Sequence, residues 1–206
     1  MEVTKYAKAR KNIWNGDLLA FRRKSGISWL GRGPYSHIAM AVWRDDDCGG
    51  TLSLAEFREW SGSGVRTLSQ AVRDDPGVID VFRPNFPDAK HYAIAERAAT
   101  IMYRQAGKQY DYPGIFRLFL LHLPFASYVA NRLFGFGADM ADTKPAAWQS
   151  WKFCSFAFDW SYCRAIAELD YETDWRPVTD LGSKWIEPSD LTRSGSFTRV
   201  YQGLVL

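Results

Sequence analysis

The feature that most constrains this chain is a change of hydrophobic period near residue 88. Before it, short apolar runs are punctuated by turn residues. Asn15-Gly16-Asp17 precedes a run at 18–22, Gly33-Pro34 and the stretch 45–50 bracket a run at 35–43, and Ser61-Gly62-Ser63-Gly64 ends one at 51–57. Runs this short between Gly, Pro and Asn read as strands. Residues 65–68 and 78–83 supply two further extended pieces. Beyond residue 88, Tyr92, Ala95, Ala99, Met102 and Tyr103 recur at steps of three and four until Gly107, which is helical spacing. A second helix is expected over 154–169, with Phe156, Trp160, Cys163 and Ala167 as its buried stripe, and the tail at 185–205 reads as a loop and strand. Strands first and helices after imply an α+β fold, a mainly antiparallel sheet packed against helices.

The content of the chain suits a packed core. It has 206 residues, a formal charge of +3, and 9 Trp, 10 Tyr and 13 Phe, which excludes a disordered tail and a collagen-like repeat. A chain of this mass buries about 70% of its surface, so one domain spanning 1–206 is expected. Three cysteines, Cys48, Cys154 and Cys163, match no metal-ligand spacing and imply free thiols in a reducing compartment. The first residues can form a short helix but carry scattered charges and no signal-like apolar stretch, so a cytoplasmic location is expected. The most apolar region, about 113–137, is interrupted by Arg117, His122, Asn131 and Arg132 and does not read as a membrane span.

Residues able to carry chemistry are few. His91 reads as an exposed structural histidine on a polar helix face, and His122 as a hydrogen-bonded histidine within the aromatic insert. His37 differs because it falls inside an otherwise apolar strand, where it is either satisfied by a backbone group or used as a base. Cys154 lies at the expected start of a helix, where free N–H groups and the helix dipole favour a thiolate. Cys163 reads as a small core residue, and Cys48 follows three aspartates that disfavour its thiolate. A cysteine nucleophile needs a base and a third group that orients the imidazole. Glu56, in a strand that could pair with that of His37, is the natural third group; Glu59 is its rival. An acid in an apolar strand calls for a partner.

Taken in order, Gly16-Asp17-Leu18-Leu19, Tyr35-Ser36-His37-Ile38, Ala55-Glu56-Phe57, Tyr110-Asp111-Tyr112 and Phe153-Cys154-Ser155 resemble the circularly permuted branch of the NlpC-type papain-like hydrolases, the YiiX-like proteins. Pro188-Ser189-Asp190-Leu191 matches the P-x-D-L segment such chains carry near their ends, and the likeness spans residues 14–202 in short pieces. The resemblance implies a permuted papain-like fold with the nucleophile at a helix N-terminus. It assigns Cys154 as nucleophile, His37 as base and Glu56 as orienter of a thiol hydrolase or acyltransferase acting on an amide, peptide or lipid ester. Peptidoglycan peptides and lipid acyl groups are the two substrate branches it leaves open. Where the family often has Glu-Leu after Cys-Ser, this chain has Phe156-Ala157.

No cofactor and no metal are expected, since the chain shows neither a ligand cluster nor a phosphate-binding glycine loop. The aromatic residues at 115–136 could form a lid, core, or a peripheral membrane contact. A papain-like binding module without activity is the alternative reading. A nucleic-acid partner is not expected, because the Lys and Arg residues are too dispersed.

Overall fold

A turn built on one glycine sets the start of the sheet. Gly16 has φ +83°, its N–H donates to the Ala41 carbonyl, and a Cβ there would stand 2.7 Å from the Tyr162 hydroxyl and 2.8 Å from the Ala95 Cβ. Only glycine tolerates both the conformation and the approach. Next to it, buried Asp17 accepts from the Trp14 N–H at 2.9 Å and from Arg83 Nη2 at 2.9 Å.

The computed structural model describes residues 3–23, 33–45, 50–58, 62–108, 154–177 and 186–206. Among them, six antiparallel strands form one sheet: β2 (Leu18–Phe21), β3 (His37–Arg44), β4 (Thr51–Arg58), β5 (Gly62–Thr67), β6 (Ile79–Pro84) and β7 (Phe197–Tyr201). Their order is β5-β4-β3-β2-β6-β7. A separate parallel pair joins β1 (Thr4–Lys5) to β8 (Leu204–Val205). Among the described residues the α-helices are α1 (Tyr6–Ala9), α2 (Leu68–Asp74), α3 (Tyr92–Tyr103), α4 (Cys154–Leu169) and α5 (Pro188–Arg193). The chain is therefore α+β with a mainly antiparallel sheet, as its period change implies.

Both faces of the sheet are covered, which explains why β2 reads Leu-Leu-Ala-Phe without a polar alternation. One core joins Leu18, Ala20, Ile38, Met40, Ala55 and Phe57 to α3 and α4; the other joins Leu19, Phe21, Ala39, Ala41, Leu52 and Leu54 to α1 and α2. The expected alternation along residues 51–57 holds, with Leu52 and Leu54 on one side and Ala55 and Phe57 on the other. Among the described residues, no helix is long and apolar enough to cross a membrane.

Several expectations need correction. Residues 62–64 are not only a break after β4; they open β5, pairing with Glu56, Phe57 and Arg58, and Ser63 also bonds through its N–H and carbonyl to Lys108 and Gly107 in the turn after α3. The extended piece at 65–68 stops at Thr67, whose hydroxyl accepts from the Gln70 N–H at 3.2 Å and caps the unforeseen helix α2. The tail carries α5, opened by Pro188 and a reciprocal Glu187–Asp190 capping box.

The bounds of α4 match the expected 154–169, but its buried face does not. Cys154, Ser155, Ala157, Phe158, Ser161, Tyr162, Ala165 and Ile166 face inward, Phe156 and Trp160 are half-buried, and Cys163 and Ala167 are exposed. Ala157 and Ala165 on this face and Ala95, Ala98 and Ala99 of α3 share one core with the fully buried Phe158 and Tyr162, so aromatic size alone does not mark the inward face. On α3, likewise, Tyr92 and Tyr103 are exposed. His91 is buried rather than exposed, held by Asp88 Oδ1 at 2.8 Å and Thr173 Oγ1 at 3.1 Å. His122, Cys48, Glu59 and the insert at 115–136 lie outside the described residues.

Candidate active site

His37 is the first residue of β3, and Cys154 is the first residue of α4. The sheet end and the helix start meet where the Cys154 sulfur makes a backbone hydrogen bond with Ile38, the residue after the histidine. The helix start is anchored from the other side by the Ser155 hydroxyl, which donates to the Ile186 carbonyl just ahead of α5. Ile186, two residues ahead of Pro188, thus helps to place the helix start that carries the sulfur.

Glu56 reaches the same point from β4. Ala39 pairs with Glu56 in the register, so His37 stands diagonally across from the acid, and its Nε2 lies 2.7 Å from Glu56 Oε2. The Cys154 thiol hydrogen-bonds the same imidazole. With Nε2 taken by Glu56, Nδ1 is the nitrogen left for the sulfur. Cys154, His37 and Glu56 are thus brought into one chain of hydrogen bonds, with Cys154 3% exposed and the His37 side chain 14% exposed.

Charge follows from these contacts. Burial works against a charged imidazole, yet the Cys154 thiolate and then Glu56 outweigh it, and His37 is raised to about 9. Burial also works against a thiolate at Cys154, but the His37 imidazolium and backbone hydrogen bonds with Ile38 and Ser155 hold the thiol below its ordinary value. Glu56 is desolvated too; hydrogen bonding and attraction to His37, then Arg66 and Arg58, keep its carboxyl below the usual range. The three groups favour a thiolate–imidazolium pair beside a carboxylate.

Cys163 has no such setting. It lies on the exposed side of α4, where desolvation and then the nearby Asp159 carboxylate push its thiol up to about 12. Among the described residues no group of three or more His, Cys, Asp or Glu side chains is placed to hold a metal ion.

Two arginines escaped the sequence reading. Arg66 Nε donates to Glu56 Oε1 at 2.8 Å, and Arg58 Nε stands 3.8 Å from the same oxygen. The signal was present in the pattern: on paired strands, a basic residue two steps from the position opposite an acid shares its face. Reading it requires the β4–β5 register, in which Leu54 pairs with Arg66 and Glu56 with Gly64. Compared with models of known protein families and with curated protein sequences, the chain matches none.

Proposed function

We propose that this chain is a thiol hydrolase or acyltransferase of the permuted, NlpC-type papain-like kind, with Cys154 as nucleophile, His37 as general base and acid, and Glu56 as the group that orients the imidazole. The observation that carries this reading is the convergence of Cys154, first residue of a helix, with His37, whose Nε2 stands 2.7 Å from Glu56 Oε2, an arrangement that polarises thiol and imidazole against each other. A binding module without activity has no need of that polarisation, which favours the enzyme.

In the proposed reaction the Cys154 thiolate attacks an acyl carbonyl, and the carbonyl π electrons move to oxygen. A backbone N–H at the start of α4 serves as one donor to that oxyanion. Collapse expels the leaving group, which takes the proton from His37, and leaves a thioester on Cys154. Water or another acceptor then gives its proton to His37 as it attacks the thioester, and the thiolate is released. The substrate is an amide, a peptide such as a peptidoglycan stem, or a lipid ester.

The test is direct. Incubation with an activated acyl ester followed by mass mapping is expected to place the acyl mass on Cys154, and iodoacetamide is expected to modify Cys154 faster than Cys163 at neutral pH. Activity should rise on the acid side at a pH below the ordinary thiol value of 9.0, as the pair forms, and fall near 9 as His37 loses its proton. No acyl adduct, together with a Cys154 no more reactive than Cys163, overturns the reading.

A further inference from the structure

Glu56 is 3% exposed, and its two oxygens have different partners. Oε2 meets the imidazole; Oε1 meets Arg66 Nε at 2.8 Å. Arg66 is itself mounted at both ends. Its strand β5 is hydrogen-bonded to the end of α3 through Ser63, and its Nη1 donates to Asp74 Oδ2 of α2 at 3.2 Å. Its side chain is 13% exposed, so the guanidinium is largely withdrawn from water, where a charge-assisted bond is stronger than at an open surface.

The charged and titratable groups facing Glu56 are, among the described residues, His37 from β3, Arg58 from its own strand, and Arg66 from β5, with Cys154 acting through His37 and Asp74 through Arg66. Arg58 is the weaker partner, at 3.8 Å and 45% exposed.

Resting on the proposed thiol chemistry, we infer that Arg66 is a positioning residue of the site: by fixing one oxygen of Glu56 it keeps that carboxylate charged and aimed, so that the other oxygen holds His37 toward Cys154. Without Arg66, a buried carboxyl that has lost the cation on its second oxygen takes up a proton more readily. A neutral Glu56 supports the imidazolium less, so around neutrality the pair relaxes to an uncharged thiol and imidazole, and the thiolate forms only at higher pH.

The experiment is the rate of Cys154 alkylation by iodoacetamide as a function of pH, which requires no substrate. A nearby opposite charge moves a carboxylate by about 1–3 pH units. Arg66→Met is therefore expected to move the acid limb upward by about one unit, a roughly tenfold slower reaction on that limb, with little change between pH 8 and 9. Arg66→Lys, which keeps the charge, is expected to restore most of the wild-type profile. If the Met variant does not fold, by circular dichroism, Arg66→Gln removes the charge while retaining a donor and is expected to show the same displacement. A variant profile that superposes on the wild type, or one slowed equally at every pH, overturns the inference and gives Arg66 a structural part only. A wild-type Cys154 no more reactive than Cys163 instead overturns the thiol chemistry itself.

Discussion

Among the described residues, two buried acids within strands of the sheet meet arginines, and of these two Glu56 alone also faces an imidazole. Asp80, on β6, is fully buried and accepts from Arg22 Nη2 at 2.9 Å, Tyr35 Oη at 2.7 Å and the Gly203 N–H at 2.8 Å, with Arg199 at 3.8 Å. None of those donors changes charge near neutrality; even the Tyr35 phenol is pushed up to about 12 by burial and by Asp80. Glu56 shares the burial and the arginine, but its second oxygen faces an imidazole. The comparison teaches that burial beside a cation makes an acid a structural tie, whereas a partner able to gain and lose a proton makes it part of a relay.

The largest expected effect breaks the relay. Glu56→Gln keeps the shape and removes the charge, and it should slow the proposed acyl transfer by roughly 10²–10⁴-fold, as in triads deprived of their orienting charge. Steady-state turnover and the pH profile of Cys154 alkylation check it together, since both should lose their acid limb near neutrality.

Asp80→Ala should do the opposite. It removes the carboxylate that Arg22 and the Gly203 N–H share and should cost about 3–5 kcal/mol in urea unfolding. The pH limbs of Cys154 alkylation should stay in place. If they move, the two acids are coupled and the contrast between them fails. The smallest change, Tyr35→Phe, removes one donor and leaves Arg22 and Gly203, so about 1–2 kcal/mol is expected from the same unfolding curve.

How much of this was legible beforehand depends on range in the chain. The strand of His37 and the start of α4 are written locally, in an apolar run between turn residues and in a helical repeat that begins at a cysteine. The three site residues could be chosen because histidines are few and an acid in an apolar strand demands a partner. Arg66 was not visible, because its meaning depends on which residue of β4 it faces. The burial of His91 was hidden for a similar reason: Thr173 and Tyr171, which hold and stack on it, arrive some eighty positions later. The inward face of α4 was misread because large aromatics stand on both sides of it: Phe158 and Tyr162 turn inward with the small residues, whereas Phe156 and Trp160 lie at the flank.

The pairing of residues 4–5 with 204–205 carries one more consequence. Parallel neighbours are tied by a crossover of about a dozen residues, so a peptide of that length could splice Leu206 onto the opening stretch without disturbing either strand. Reopening the ring between Lys108 and Cys154 would then yield a chain that is read sulfur first and imidazole second, with Cys154, His37, Glu56 and Arg66 all outside the reopened segment. Such a rewired protein should fold and alkylate as its parent does, because the order in which the ribosome makes these pieces is independent of the place where they meet.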